Sequence, residues 1–200
     1  MKNFKKLIFT SVLSLSVSMF AINGESEAAG THVVQPDESF YKIGVKYGLP
    51  VMAIKQANNQ TSDMIYPGQS LNLPDSTVSA ADKELMAQLV HAEAKGEPYA
   101  GKVAVATVIL NRVDHAEFPN TIRDVIYQQS SSGSYAFTPV KTGSINQPAD
   151  DEARKAVNEA LAFRGQGNGS VYFYNPNTAV SQWIFSREVT VTIGNHRFAK

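Results

Sequence analysis

A carboxylate stands where a helix would be expected to carry another aliphatic side chain. Ser79 with Asp82 three residues on is an N-cap pair able to satisfy the free amides of a helix start. Gly96 and Pro98 close the same stretch, because Gly tolerates the left-handed conformation after a helix and Pro cannot continue one. Between them Leu85, Met86, Leu89 and Val90 form an apolar stripe at helical spacing, and Glu93, three residues after Val90 and four after Leu89, continues it. Desolvation disfavours an ionised carboxyl and raises its pKa, which is what a general acid needs near neutral pH. The competing reading is a helix-end glutamate turned out to water, and the pattern alone does not separate the two. Glu97 is the nearest second carboxylate, but Gly96 intervenes, so its direction is open. It could serve the site or simply fix the turn from Gly96 to Tyr99.

Other chemistries find less support. His32, His91, His115 and His196 form no His-Glu-x-x-His pair and the chain has no cysteine, so no metal and no cofactor is expected. No Gly-x-Ser-x-Gly elbow for a serine nucleophile occurs. Basic and acidic residues balance at 18 each, which gives no footprint for nucleic acid.

The elements that must hold Glu93 follow in order. Residues 100–113 carry eleven apolar or small positions and predict a helix buried nearly all round, with a valine-rich strand as the rival. Asn111 and Arg112 at its end are expected to satisfy last-turn carbonyls. Thr121 with Asp124 opens a third helix through Ile122, Val125, Ile126 and Tyr127, and residues 130–147 read as a long non-periodic segment. Pro148 leads a further helix, with Asp150, Asp151 and Glu152 as a solvated acidic cap and Ala153, Ala156, Val157, Ala160 and Leu161 inward. After the glycine-rich turn at 165–169, three β-prone stretches follow, at 171–174, 183–185 and 189–193. The last pairs as a hairpin with 196–198 across Gly194 and Asn195.

The first half of the chain has a different task. Lys2, Lys5 and Lys6, an apolar run from Leu7 to Ile22, and Ser26-Glu27-Ala28-Ala29 read as a secretory signal peptide over residues 1–28, with an uncleaved anchor as the alternative. Cleavage near Ala28 leaves 15 basic against 16 acidic residues and no stable membrane span, so a near-neutral protein working outside the cytoplasm is expected. Residues 31–74 read strand, helix, helix, strand, and the polar residues 75–80 read as a linker to a second unit over 81–200.

Residues 31–74 resemble a LysM domain through Val33-Val34, Asp37, Ser39-Phe40, Ile43, Tyr47-Gly48, Ala57-Asn58-Asn59, Ile65 to Gln69 and Leu71. The family's usual Pro-Gly-Asp turn is Pro36-Asp37-Glu38 here. The resemblance implies binding of N-acetylglucosamine-containing chains in a groove formed by Pro36, Asp37, Glu38 and Ser39 on one side and Met64, Ile65, Tyr66 and Pro67 on the other.

From Leu85 to Lys200 the chain resembles the spore cortex-lytic, SleB/CwlJ-type cell-wall hydrolases. The carrying blocks are Glu93 to Tyr99, Val103 to Ala106, Asn111-Arg112, Phe118 to Ile122, Val125 to Tyr127, Ala136 to Thr138, Tyr172 to Pro176, Trp183 to Ser186 and Ile193 to Phe198. That resemblance implies an α+β chain, a βααβ LysM module followed by a lysozyme or lytic-transglycosylase-like helical domain with a small antiparallel sheet. It also implies that Glu93 is the catalytic carboxylate. Inverting or retaining hydrolysis generally uses two carboxyl groups, about 6.5–9.5 or about 5–5.5 Å apart. A lytic transglycosylase needs one, so cleavage of β-1,4 muramyl–glucosaminyl bonds by a single Glu acid/base is the expected activity. A muramidase or glucosaminidase, an N-acetylmuramoyl-L-alanine amidase and a non-catalytic wall-binding protein are the alternatives. Expected substrate contacts are Glu97, Tyr135, Phe137, Thr138, Tyr172, Tyr174, Asn175, Ser181 and Trp183, with two or three of the five aromatics lining the cleft. The expected partners are peptidoglycan strands, whether GlcNAc/MurNAc or muramic-lactam, met by a monomer in the wall or spore cortex.

Overall fold

A computed structural model describes residues 30–200; the expected signal peptide lies outside the described residues. Two short strands, β1 (Gly30–Val33) and β2 (Ser70–Leu73), pair antiparallel around α1 (Phe40–Tyr47) and α2 (Val51–Ala57). Ser39 caps α1 by accepting from the Lys42 amide, and Gly48 ends it in the left-handed conformation with φ 60°. Val34, Phe40, Ile43, Leu49, Ile54, Leu71 and Leu73 form a small core of their own.

The second unit is helical first and β last, the mixed architecture expected. It comprises α3 (Ala80–Glu93), α4 (Tyr99–Val113), α5 (Ile122–Ile126), α6 (Thr138–Thr142), a 3₁₀ turn at Ser144–Asn146 and α7 (Asp151–Ala162). Then come β3 (Tyr172–Tyr174), α8 (Gln182–Phe185), β4 (Val189–Ile193) and β5 (His196–Ala199), with sheet order β3-β5-β4, all antiparallel. Met86, Leu89 and Val90 of α3 are fully buried against Val105, Val108 and Ile109 of α4 and the inner face of α7. Residues 99–113 are thus a helix, not the rival strand, since a run this long can bury valines on every side. Among the described residues no helix is long and apolar enough to cross a membrane.

Three expectations are corrected. Residues 183–185 form α8 rather than a strand, because Ile184 turns into a small cluster with Tyr174 and Ala199 while Trp183 and Phe185 face outward. Residues 130–147 are not structureless: α6 and the 3₁₀ turn lie within them, with Pro139 and Ile145 buried. Helix α7 starts at Asp151, three residues after Pro148, with Asp150 capping it through the Ala153 amide.

The stretch 75–80 is pinned rather than loose. Val78 is 5% exposed and belongs to the main core, and Ser76 Oγ bonds both its carbonyl and its amide. Helix α1 packs on the C-terminal half of α7. A Cβ on Gly44 would lie 3.2 Å from the Ala162 methyl, and the Tyr41 and Phe163 rings stand 5.2 Å apart. Glu159 of α7 accepts from the Tyr99 hydroxyl at 2.6 Å and also reaches Tyr41.

This interface predicts that both units unfold together. Calorimetry of residues 30–200 should give one transition. Ala162→Arg, which overfills a buried contact outside the main core, should split it into two; a single transition in the variant contradicts the coupling.

Candidate active site

The last turn of α3 delivers Glu93 where the apolar stripe put it. Helix α3 ends at Glu93, Ala94 is its C-cap and is fully buried, and Gly96 (φ 86°) turns the chain toward α4. Burial pushes the Glu93 carboxyl up to about 7, opposed by the Thr138 backbone N–H at the start of α6 and by the Arg112 guanidinium of α4. It is therefore close to half protonated at neutral pH, the condition in which one group can give a proton and take one back.

Arg112 is the residue the sequence reading misassigned. It does not satisfy the carbonyls of its own helix. Its Nε donates to the Val171 carbonyl at 2.7 Å, and Asn111 Nδ2 donates to the Ser170 carbonyl at 2.9 Å, so the end of α4 holds the approach to β3. Its guanidinium lies among three rings, 4.9 Å from Phe137, 5.1 Å from Phe118 and 5.8 Å from Tyr172. Burial pulls its pKa down to about 10, which leaves it charged at neutral pH, with Tyr172 and Glu93 supporting that charge. The signal was available: Arg112 follows Ile109 by three and Val108 by four, as Glu93 follows Val90 and Leu89.

Glu97 is occupied elsewhere. Its two oxygens accept from the backbone N–H and side-chain amide of Asn195 at 2.9 and 3.0 Å, joining the α3–α4 turn to the β4–β5 hairpin. Partial burial opposes ionisation, but the two Asn195 bonds and nearby His196 prevail and hold this carboxyl below the usual range. Gly194 is required there twice over. Its φ is +56°, and a Cβ would run into the Glu97 carboxylate. Glu97 thus braces the turn, the second of the two roles its position left open.

The remaining expected contacts divide. Tyr135 and Trp183 are exposed, and Tyr172 is half-buried, edge-on to Trp183 at 5.0 Å. Phe137 and Tyr174 are core residues, 2% and 8% exposed, and do not offer a face to sugar. Thr138 approaches the carboxylate through its amide. Asn175 is engaged in its own turn, its Oδ1 accepting from the Asn177 amide, whereas Ser181 is exposed ahead of α8. Glu93, Thr138, Phe137, Arg112, Phe118, Tyr172 and Trp183 are therefore linked in one chain of neighbours. Arg187, 4.6 Å over the Trp183 ring, extends it and was not foreseen.

At the other groove Pro36, Asp37, Met64, Tyr66 and Pro67 are exposed. Asp37 takes φ 64°, a left-handed conformation that Asp tolerates, which explains how the loop forms without the usual Gly. Glu38 and Ser39 are structural instead. Glu38 bonds buried His32 at 2.5 Å and the Gln35 amide, and Ser39 caps α1. Ile65 packs against the small core. Among the described residues no three His, Cys, Asp or Glu side chains converge as a metal site.

The half-buried acid has a thermodynamic signature. The folded carboxyl titrates near 7 against about 4.5 unfolded, so the stability contributed by protonated Glu93 is fully present below about 4.5 and is lost as pH rises through 7. At about 1.36 kcal/mol per unit the loss is at most about 3.4 kcal/mol. Glu93→Gln should match its parent in urea unfolding at pH 4.5 and exceed it by about 2–3 kcal/mol at pH 8; a difference independent of pH contradicts the burial.

Comparison with known proteins adds an independent line. A model described as Cell Wall Hydrolase matches residues 96–199, and a LysM domain model matches residues 32–74. The spore cortex-lytic enzyme of Halalkalibacterium halodurans is 44% identical over 130 residues, covering 65% of this chain and 38% of that protein. The solved catalytic domain of the germination-specific lytic transglycosylase SleB from Bacillus anthracis is 42% identical, with a TM-score of 0.57, and the match covers 64% of this chain and 100% of that one. The catalytic domain of the Bacillus cereus SleB protein is 43% identical at TM-score 0.55, covering 64% and 95%. The chain spans less than half the length of the curated relatives it matches. By the extent of these matches the chain belongs to the Cell Wall Hydrolase family and carries a LysM domain ahead of that family's domain.

Proposed function

We propose that this protein cleaves the glycan strands of peptidoglycan as a lytic transglycosylase, with Glu93 as the single acid/base. The observation that carries the reading is a carboxyl held by burial near a pKa of 7, while the neighbouring carboxylate, Glu97, is bound to Asn195 through both oxygens. Protonated Glu93 gives its proton to the bridging oxygen of a β-1,4 muramyl–glucosaminyl bond, and the C1–O bond breaks as positive charge develops on the muramyl ring. The resulting carboxylate then takes the proton of the muramyl 6-hydroxyl while that oxygen bonds to C1, closing a 1,6-anhydro ring and restoring the acid. The relatives named as spore cortex-lytic enzymes and a germination-specific lytic transglycosylase support this chemistry and favour cortex or wall as the substrate. The LysM module, through exposed Tyr66, Met64, Pro67, Pro36 and Asp37, keeps the enzyme on the polymer, outside the cytoplasm.

Mass spectrometry of products from purified cortex and vegetative sacculi tests this. The parent should release anhydro-muramyl ends, Glu93→Gln should lose about a thousandfold or more, and Glu97→Gln should stay within about tenfold of the parent. Near-parental release by Glu93→Gln removes the assignment; reducing muramyl or glucosaminyl ends in place of anhydro ends make the enzyme a hydrolase.

A further inference from the structure

Arg112 carries a cost that packing alone does not explain. It is 7% exposed, and its Nη1 is buried without a hydrogen-bond partner. A buried unpaired donor is costly, and more so on a charged group. An aliphatic side chain in the same place would hold Phe118, Phe137 and Tyr172 together without that penalty, and Asn111 already secures the Ser170 carbonyl next to Val171. What the guanidinium adds is charge, fixed in direction by the Val171 bond and by the rings around it.

That charge lies near the acid, and each group favours the charged form of the other. Phe137, beneath the guanidinium, is followed directly by Thr138, whose amide faces the Glu93 carboxyl, so cation and carboxyl share one short segment as a wall. The other charged groups on the elements around α3 are engaged elsewhere. On α7, Asp150 pairs with His91, and Arg154 pairs with Glu84 and Asp151. Lys102 of α4 pairs with Glu152, and Asp124 of α5 bonds its cap Thr121. Arg123 of α5 lies against the Tyr127 ring, Lys141 of α6 is exposed, and Glu97 bonds Asn195 with His196 nearby.

We propose that Arg112 is a positioning residue for the reaction: its caged guanidinium, with one nitrogen uncommitted, is the counter-charge that receives the Glu93 carboxylate when that side chain gives up its proton. The idea rests on the glycosidic reading above and deepens it. A single acid/base in a desolvated cleft has to exist as an anion between its two proton transfers. Without a nearby cation that anion would be the least stable species on the path. A cation on an exposed flexible stem would serve less well, since water would screen it. The aromatic cage supplies stabilisation without supplying a competing carboxylate, so the guanidinium stays available to Glu93.

The test compares Arg112→Gln and Arg112→Lys with the parent, reading the Glu93 titration by carbon-13 NMR of labelled glutamate and the pH dependence of muropeptide release. Arg112→Gln should move the Glu93 midpoint and the alkaline limb of activity upward together by about one unit, and slow release at least about tenfold. Arg112→Lys, which restores the charge, should keep both within about half a unit of the parent. If Arg112→Gln does not fold, the lysine variant decides: a folded Arg112→Lys whose limb departs by more than a unit overturns the proposal. An active parent with an unmoved Glu93 midpoint in a folded Arg112→Gln reduces Arg112 to a structural role. A parent that yields no anhydro ends instead removes the reaction, which the titration, independent of turnover, distinguishes from failure of the charge pairing.

Discussion

The structure depends on holding one carboxyl group half-buried at the edge of an apolar core. Glu93 sits at the end of a helix whose preceding inward residues, Met86, Leu89 and Val90, are fully buried, and it inherits their surroundings. An isolated ionised carboxyl there would be strongly disfavoured, so the group either holds its proton or finds a cation and an amide. The fold provides all three conditions at once. The core desolvates it, α6 presents the Thr138 amide, and α4 presents Arg112.

Much of the second unit can be read as support for that arrangement. The turn between α3 and α4 is held at Glu97 by the β4–β5 hairpin and at Tyr99 by Glu159 of α7. The small sheet therefore does more than cover the helices, since its hairpin fixes the segment next to the acid. Glu159 also faces Tyr41, so the LysM module touches the same scaffold rather than swinging on a tether.

The fold was largely legible in the sequence because its signals are local. Ser79, Thr121 and Asp150 each cap the helix they were expected to open or lead, and Gly194-Asn195 makes the hairpin turn. Residues 183–185 misled because three apolar side chains in a row suit a strand or a single helical turn equally, and only packing beside Tyr174 decides. The site was half legible. Glu93 follows from helical spacing, whereas the partners that define its chemistry come from α4 and α6, about 20 and 45 residues further on, where spacing has nothing to say. Phe137 and Tyr174 illustrate the same limit, since composition cannot tell a sugar-stacking ring from a core ring.

The most direct measurement is the titration of Glu93 itself in the unmodified protein. Carbon-13 labelling of glutamate carboxyls, with the Glu93 signal identified by its loss in Glu93→Gln, follows one group from pH 4 to 9. The account predicts a midpoint of about 7, well apart from the other glutamates. A Glu93 signal titrating near 4.5, as a solvated carboxyl does, would contradict it.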